Sequence, residues 1–232
     1  MIQIRAVGVV IPAHNEEDLL PSCLAAMRLA TRRLHRITVH LIVVADACTD
    51  RTAEHARRAG AAVREIQARC VGAARRAGMR EVLRRTRHLD PSTVWLATTD
   101  ADTLVYPEWL SQHLHYAAGG WDAVVGTVTV ADWAGHPPGL PSLFHQRYHT
   151  ASPGTHPHVH GANLGFTASA YLAAGGFQPN PTAEDHALVA SLIAAGRRVL
   201  RTTEMSVLTS ARRQARAPHG FSHLLSTLGG TT

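Results

Sequence analysis

Lysine is absent from the 232-residue sequence, so arginine supplies all 23 of its permanently basic side chains. Arginine favours bidentate contacts with phosphate and carboxylate groups, although a GC-rich genome would produce the same bias. Aromatic residues are scarce at 5%, and the formal net charge of +6 does not come from a basic tail. A chain without a base-stacking platform or a basic arm is expected to bind no nucleic acid.

Cysteine and long apolar runs are also scarce. The three cysteines, Cys23, Cys48 and Cys70, form no CxxC pair, which favours reduced thiols and a cytoplasmic location. No apolar run approaches the roughly 20 residues of a membrane helix. The apolar stretch near the N-terminus stops at Pro12 and lacks the features of a signal peptide. We therefore expect a protein with no transmembrane segment.

The first half of the sequence alternates short β-branched runs with longer amphipathic patterns. The runs predict strands at 6–12, 37–45, 62–66 and 94–99. The amphipathic patterns predict helices at 16–35, 50–60 and 70–87. This alternation is typical of βαβ crossovers, so it predicts an α/β fold with a mainly parallel sheet and helices on both faces. With 45% hydrophobic residues, we expect one domain over 1–232.

The pattern changes after residue 104. A helix at 107–118 and a strand at 121–130 precede a Pro-, Gly- and His-rich stretch, 132–160, that has no clear period. A loop of this length is usually a functional lid or binding segment. Regular structure is predicted again at 161–177, at 184–196 as a helix, and at 198–203 and 205–210 as strand-like runs.

Acidic and polar residues follow three of the predicted strands. These segments are PAHNEE (12–17), ADACTD (45–50) and DAD (100–102). In a doubly wound sheet, ligands bind at the carboxyl ends of the strands. Each segment also has a plainer interpretation: Asp46 as a turn residue, Asp50 as a helix N-cap, and Asn15 and Glu16 as the start of a helix. Three such strand ends on one edge favour a ligand site.

The DAD segment is the most specific of the three. Asp100 and Asp102 lie two residues apart directly after a buried strand, so their mutual repulsion would raise the pKa of one carboxyl unless a cation lies between them. A hard divalent ion held by one or two carboxylates and by substrate phosphates resolves this repulsion. The expected cofactor is Mg²⁺ or Mn²⁺.

An ordered series of motifs resembles glycosyltransferase family 2, which has the Rossmann-like GT-A fold of nucleotide-diphospho-sugar transferases. The motifs are VVIPAHNEE (9–17), VVADACTDRT (43–52), GAARRAG (72–78), TTDADT (98–103), GANLGF (161–166), GGF (175–177) and EDHALVASLIAAGRRV (184–199). They cover nearly the whole chain in the family's order. The resemblance implies a single GT-A domain with a nucleotide-binding half at about 1–104 and an acceptor-binding half at about 105–232.

The resemblance also implies which residues carry the chemistry. It assigns nucleotide-sugar binding to Pro12, Ala13, Asn15, Glu16, Asp46, Arg75, Asp100 and Ala101. Within this set, Asp46 would contact the base, and Asp100 would lie near the ribose and the metal ion. Asp102 matches the direct metal ligand, and Asp185 matches the general base that deprotonates the acceptor hydroxyl. The implied reaction is a metal-dependent, inverting sugar transfer from a UDP- or GDP-linked donor to a hydroxyl acceptor.

Six further residues are candidates for contact with the acceptor or the donor sugar: Glu184, His160, Gly161, Asn163, His186 and Trp133. Several have competing interpretations. The HPHVHG segment (156–161) is either a flexible acceptor loop, which we favour, or a metal cluster without the usual zinc spacing. Trp133 would stack on a sugar or anchor the loop, and His186 would orient the acceptor or lie exposed. Glu184 and Asp185 would otherwise be favourable first-turn charges.

The sequence departs from the common family pattern at the expected nucleotide pocket. Ala45 stands where Asp is frequent, Cys48 where Ser is frequent and Arg76 where Asn is frequent, so the base stays open. The QxxRW element of processive synthases has no clear counterpart. In that region, Arg212, Arg213 and Arg216 would close over the diphosphate or form a solvated tail.

The same carboxylates fit other functions. The alternatives are a Mg²⁺-dependent nucleotidyltransferase or phosphohydrolase, a retaining GT-A transferase, and a non-catalytic nucleotide-binding relative. We expect a small or carrier-presented acceptor, because few residues are left for an acceptor domain. The sequence also allows a homodimer.

Overall fold

The computed structural model describes residues 3–130, 132–148 and 154–210. Its strands are β1 (Ala6–Ala13), β2 (Thr38–Asp46), β3 (Ala62–Ile66), β4 (Val94–Thr98), β5 (Thr103–Leu104), β6 (Ala123–Val130), β7 (Leu164–Thr167) and β8 (Val199–Thr209). Its helices are α1 (Leu20–Arg32), α2 (Thr52–Arg58), α3 (Val71–Arg85), α4 (Trp109–Ala118), α5 (Leu140–Tyr148), α6 (Ala168–Ala173) and α7 (Glu184–Ala194). Short 3₁₀ turns lie at Pro91–Thr93 and Gly161–Asn163.

The strands form an eight-stranded mixed sheet in the order β3-β2-β1-β4-β7-β6-β8-β5. Strand β1 pairs in parallel with β2 on one side and β4 on the other, and β3 is parallel to β2. Strand β7 is antiparallel to both β4 and β6, whereas β6 and β8 are parallel. The predicted α/β fold with a mainly parallel sheet is confirmed. Because β1, β2 and β4 are parallel neighbours, their carboxyl ends lie at one edge.

Alternate side chains of the buried strands pack on opposite faces of the sheet, as the two-residue period of a strand requires. In β1, Val7, Val9 and Ile11 belong to one hydrophobic cluster, whereas Ala6 and Val10 belong to the other. Helices α1, α2, α4 and α5 contribute to the first cluster, and α3, α6 and α7 contribute to the second. The continuous apolar runs that predicted these strands therefore reflect burial on both faces.

Helix α3 lies very close to the sheet, which places its N-terminal turns at the edge where β1 and β2 end. A Cβ atom on Gly78 would collide with Val10 of β1 and Val44 of β2, so only glycine allows this approach. Since α3 follows β3, its first residues lie near the carboxyl ends of the parallel strands. Arg75, one turn before Gly78, is thereby held at that edge.

Some predictions of secondary structure were wrong. The stretch 132–160 contains helix α5, whose buried Leu140, Phe144 and Tyr148 have the i, i+4 spacing of a helix face. The two strand-like runs near residue 200 form one strand, β8, and helix α1 begins at Leu20 instead of residue 16. Arg212, Arg213 and Arg216 lie outside the described residues. No helix in the described ranges is long and apolar enough to cross a bilayer.

His113 of α4 is fully buried between two indole rings. Its ring centroid lies 5.7 Å from that of Trp95 and 4.7 Å from that of Trp109. Neither imidazole nitrogen has a hydrogen-bond partner within the described part of the chain. Burial lowers the pKa of His113 to about 3, because nothing compensates the charged ring for the loss of water.

We expect acid to destabilise the fold through His113. The pKa of this histidine is about 3 in the folded protein and 6.5 for an unperturbed histidine, so between these values the unfolded chain binds the extra proton. The contribution of neutral His113 to the free energy of unfolding is complete above the pKa of the unfolded chain. It declines by about 1.4 kcal/mol per pH unit as the pH falls towards the pKa of the folded protein. In denaturant titrations at several pH values, His113→Leu should reduce the pH slope of the unfolding free energy by about one proton. The control His115→Leu, at an exposed position of the same helix, should keep the wild-type slope; equal slopes in both variants would contradict the prediction.

Candidate active site

The loop that follows β1 is fastened to the loop that follows β2. Asn15 Oδ1 accepts the backbone N–H of Thr49 at 2.8 Å, and the backbone N–H of Glu16 donates to Thr52 Oγ1 at 2.7 Å. Asn15 adopts a left-handed backbone with φ of 53°, which asparagine tolerates better than most residues. The interpretation of Asn15 and Glu16 as the start of a helix is therefore wrong. They form part of the loop that borders the strand ends.

The same two loops are joined at their first residues. Pro12 and Ala13 are buried at the end of β1, and the Cys48 thiol donates to the Ala13 carbonyl oxygen at 3.4 Å. Cys48 thus makes a hydrogen bond that serine could make at this position. Asp50 accepts the backbone N–H groups of Glu17 and Thr52, each at 3.0 Å. Asp50 thus accepts the first N–H of α2, as an N-cap side chain does, although the residue in the N-cap position is Arg51.

Asp46, at the end of β2, organises the approach to α3. Its Oδ1 accepts the backbone N–H groups of Ala68 and Arg69 at 2.7 and 2.8 Å, and its Oδ2 accepts that of Cys70 at 2.8 Å. The side chain is buried. A carboxylate offers about four lone-pair sites, so these bonds leave about one acceptor direction for a nucleotide base. Contact of Asp46 with the base stays a prediction. In this structure Asp46 also positions the backbone that leads into α3.

Arg75 of α3 joins two carboxylates that come from distant parts of the chain. Its Nη2 donates to Asp100 Oδ1 at 2.6 Å, its Nη1 forms an ion pair with Glu184 Oε1, and its Nε donates to Thr98 Oγ1 at 3.3 Å. The side chains of Arg75 and Glu184 are 4% and 5% exposed, whereas that of Asp100 is 37% exposed. A buried arginine with buried and half-buried carboxylates is stable only as a complete network, because each lone charge would be costly to bury.

The DAD segment forms a tight turn after β4. The carbonyl oxygen of Asp100 accepts the backbone N–H of Thr103 at 3.1 Å and the thiol of Cys23 at 3.4 Å. Ala101 is buried, and Asp102 is partly exposed. Burial raises the pKa of the Cys23 thiol, with the charges of Asp102 and Asp100 acting in the same direction. The turn therefore presents two carboxylates on a supported loop.

The donor set of this turn fits a divalent cation. Mg²⁺ is usually held by one or two carboxylates together with substrate phosphates and water, and Asp100 and Asp102 would supply the carboxylates. In the parts of the chain that the structure covers, no three His, Cys, Asp or Glu side chains form a ready-made metal site. That result gives no support to the metal-cluster interpretation of HPHVHG. A cation at the DAD turn would complete its coordination with donor phosphates.

Asp185 lies in the first turn of α7 beside the turn that contains Gly161. The Gly161 backbone N–H donates to Asp185 Oδ2 at 2.8 Å, and the Asp185 Oδ1 accepts the backbone N–H of His186 at 2.8 Å. His186 is exposed, and Asp185 is half-buried. Loss of water around its ring lowers the pKa of His160 to about 3, although Asp185 acts in the opposite direction. His160 is therefore neutral at physiological pH, next to a carboxylate whose orientation is set by the backbone.

Asn163, a candidate for sugar contact, lies inside the protein and cannot reach a substrate in this structure. Its side chain is fully buried. Asn163 Oδ1 accepts the indole N–H of Trp109 at 2.8 Å, and Nδ2 donates to the carbonyl oxygens of Thr127 and Met205 at 2.8 and 2.9 Å. The prediction that Asn163 contacts a sugar is wrong. Its buried side chain instead binds the Gly161–Asn163 turn to β6, β8 and α4.

We expect Asn163→Ala to destabilise the protein by about 2–4 kcal/mol. The substitution leaves a cavity, a buried indole N–H and two buried carbonyl groups without their partner. Chemical denaturation of the variant and the wild type measures the difference. The matched control is Asn180→Ala at an exposed position, which should change stability by less than about 0.5 kcal/mol; equal effects of the two substitutions would refute the structural role.

The histidine-rich segment packs against helix α5 in an ordered aromatic stack. The His158 ring lies 4.0 Å from the Tyr148 ring at an interplanar angle of 4°, and Phe144 stacks on Tyr148 at 4.7 Å. His156 is buried and donates to the Val125 carbonyl oxygen at 3.0 Å. Trp133 packs against Phe144 at 5.5 Å, which supports its interpretation as a loop anchor. His156 and His158 are thus packed against the protein in this structure, and a role of the segment in acceptor binding stays a prediction.

Three groups of this site were given no role from the sequence. Thr98 accepts a hydrogen bond from Arg75, Cys23 donates to Asp100, and the Tyr148 phenol oxygen accepts the Val128 backbone N–H at 3.1 Å. The spacing of Phe144 and Tyr148 was the one available sign of α5. Each of the other contacts joins segments far apart in the chain, so no local pattern could reveal it.

The chain matches the model of glycosyl transferase family 2 over residues 8–172. A search of curated proteins finds no significant match. Among solved structures, the mannosyltransferase PcManGT from Pyrobaculum calidifontis, in complex with GDP-Man and Mn²⁺, is 19% identical with a TM-score of 0.67, over 99% of this chain and 70% of that chain.

Two further structures share the fold. TarS 1-349 from S. aureus, in complex with UDP-GlcNAc, is 14% identical with a TM-score of 0.64, over 96% of this chain and 64% of that chain. Glucosyl-3-phosphoglycerate synthase from Mycobacterium tuberculosis, in complex with Mn²⁺, UDP and phosphoglyceric acid, is 16% identical with a TM-score of 0.55, over 90% of this chain and 72% of that chain. The chain spans less than two thirds of the length of the TarS structures.

Proposed function

The chain belongs to glycosyl transferase family 2, and from that membership we propose that it transfers a sugar from a nucleoside diphosphate donor to a hydroxyl acceptor. The transfer inverts the anomeric carbon and depends on Mg²⁺ or Mn²⁺. Two solved structures with the same fold support a UDP- or GDP-linked donor. One is a complex with UDP-GlcNAc, and the other is a complex with GDP-Man and Mn²⁺. The acceptor is small or carrier-presented.

The observation that carries this proposal is the division of the carboxylates into two sets. Asp100 and Asp102 lie on the turn after β4, and Asp185 lies on the first turn of α7. An inverting displacement needs such a division, because the base that deprotonates the acceptor acts on the opposite side of the sugar from the leaving diphosphate. One carboxylate set therefore serves the leaving group and the other serves the nucleophile.

The protein's own groups would act as follows. Asp185 accepts the proton of the acceptor hydroxyl, with its carboxylate oriented by the Gly161 N–H. Asp185 lies in the first turn of α7, where the backbone N–H groups and the helix dipole favour a negatively charged side chain over a neutral one as a structural neighbour. Asp100 and Asp102 would hold the divalent ion, which supplies Lewis-acid stabilisation of the leaving diphosphate when bound. Asn15, Glu16 and Asp46 would border the nucleotide at the ends of β1 and β2.

A donor panel tests the proposal. Binding of UDP, GDP and dTDP in the presence of Mn²⁺ is measured by calorimetry, and matching sugar nucleotides are then offered with a broad set of alcohol acceptors. The expected result is tight binding of one nucleotide and a transfer product whose anomeric configuration, assigned by NMR, is inverted. Retained configuration would refute inversion, release of sugar 1-phosphate would favour a nucleotidyltransferase or phosphohydrolase, and binding without any turnover would favour a non-catalytic relative.

A further inference from the structure

We propose that Arg75 is a positioning residue that couples the metal-binding turn to the base-bearing turn of α7, instead of a direct ligand of the nucleotide. The inference rests on the proposed function and deepens it. The resemblance places this arginine in the nucleotide site, but in this chain its side chain binds Thr98, Asp100 and Glu184.

The Arg75 guanidinium is already bound by protein groups, because three of its five N–H groups donate to protein oxygens. Nε, Nη1 and Nη2 each donate to a different oxygen, on Thr98, Glu184 and Asp100 respectively. The side chain is 4% exposed. A diphosphate or a base would have to displace protein groups to reach so buried a guanidinium, and displacement of a carboxylate would leave a buried anion without its counter-charge.

The backbone of the Gly161–Asn163 turn packs directly against the Arg75 guanidinium. A Cβ atom on Gly161 would collide with Cζ, Nη1 and Nη2 of Arg75, so this turn approaches the guanidinium as closely as glycine permits. The Gly161 backbone N–H in turn holds Asp185 Oδ2. On another side, the Arg75 Cζ lies 5.9 Å from the ring centre of Phe177. Arg75 therefore contacts the same turn that orients the proposed base.

The charge balance of the Arg75 network and the planar shape of the guanidinium both tie Asp100 to α7. One guanidinium faces two carboxylates, so the network keeps one excess negative charge, and the more exposed of the two carboxylates is Asp100. A divalent cation at the DAD turn would bind an Asp100 carboxylate whose Oδ1 already accepts a hydrogen bond from Arg75. The planar arginine fork can donate to two carboxylates and a hydroxyl at once, whereas a lysine ammonium is a single point charge. Loss of the fork should therefore misplace Asp100 and the α7 turn together.

The test is Arg75→Lys, compared with Arg80→Lys at an exposed position of the same helix. Mn²⁺ is titrated against whichever of UDP or GDP the wild type binds, followed by calorimetry and by the Mn²⁺ EPR signal. We expect the Mn²⁺ concentration at half-saturation to rise about 10-fold or more, as for other residues that support metal ligands. With saturating Mn²⁺, kcat should fall about 10–100-fold while the donor KM changes less than about threefold. Arg80→Lys should match the wild type.

Other outcomes would overturn the inference. A rise in nucleotide Kd or donor KM that accounts for the whole loss, with the Mn²⁺ midpoint unchanged, would make Arg75 a direct nucleotide ligand. An Arg75→Lys variant equal to Arg80→Lys would remove any special role. In case Arg75→Lys does not fold, Glu184→Gln provides the second variant: it keeps the shape of the network, and it should lower kcat with an altered Mn²⁺ midpoint. A wild-type midpoint in folded Glu184→Gln would equally oppose the coupling.

Failure of the proposed function is distinguishable from failure of this inference. If wild-type protein bound neither UDP nor GDP with Mn²⁺, the proposed function itself would fail. If the wild type bound and transferred normally but the Arg75 and Glu184 variants kept its Mn²⁺ midpoint, only the coupling would fail.

Discussion

Replacement of Asp185 by Asn should abolish sugar transfer while donor binding stays intact. General base catalysis contributes about 10²–10⁴-fold, so kcat should fall by that amount. The Asn side chain loses the bond from the backbone N–H of the exposed His186. It keeps one oxygen, which can accept the Gly161 N–H that in the wild type is 2.8 Å from Oδ2, so the turn that contains Gly161 should keep its shape. The nucleotide affinity in the presence of Mn²⁺ should remain within about twofold of the wild type, because Asp185 serves the acceptor side.

The matched control for Asp185→Asn is Asp90→Asn. Asp90 also accepts a backbone N–H, from Ser92 at 2.8 Å, but it lies in the turn before β4 and its side chain is exposed. This control should retain wild-type activity. Full sugar transfer by Asp185→Asn would contradict the assignment of the base. A nucleotidyltransferase or phosphohydrolase activity that Asp185→Asn leaves unchanged, without sugar transfer by the wild type, would favour those interpretations.

Replacement of Asp102 by Asn should remove the response of the protein to divalent metal. A bound Lewis acid is worth several kcal/mol to the transition state, so transfer should fall by about 10³-fold. The variant should bind the nucleotide with the same weak affinity in the presence and absence of Mn²⁺, whereas the wild type should lose affinity and activity when EDTA is added. Calorimetry and a transfer assay with and without chelator measure both effects.

Stability separates a metal role from a structural role of Asp102. Removal of one of two neighbouring carboxylates relieves their repulsion, so the metal-free variant should unfold no more readily than the metal-free wild type. The control Asp132→Asn, at an exposed position, should respond to Mn²⁺ and EDTA as the wild type does. Unchanged metal dependence in Asp102→Asn would show that the cation, if required, is held elsewhere.

The parallel part of the sheet could be predicted because its strands carry a strong local signal. Val7, Val9 and Val10 lie in a continuous apolar run, and the structure explains the run by helices on both faces of β1. Helix α5 was missed because proline, glycine and histidine dominate the composition around it. Its helical face consists of only Leu140, Phe144 and Tyr148, and these residues gain their burial from tertiary contacts.

The candidate site was predictable only as far as chain order allowed. Acidic residues after β1, β2 and β4 were expected at one edge, since parallel neighbouring strands end together. The partner of each side chain was not predictable. Arg75 reaches Asp100 across 25 residues and Glu184 across 109 residues of sequence, and no single-sequence pattern encodes such a pairing. Asn163 was misjudged for the same reason, because a polar residue in a motif resembles a ligand contact until its burial is known.

The amino-acid sequence by itself determined the fold class, the family and the position of the carboxylates at the strand ends, because periodicity and motif order are local properties of a chain. Only the tertiary structure decided how those carboxylates are held: Asp46 by three backbone amides, Asp100 and Glu184 by one guanidinium, and Asp185 by the Gly161 N–H. Hydrogen bonds and ion pairs depend on distances of a few ångströms between atoms, and those distances exist only once the sheet and its helices have packed.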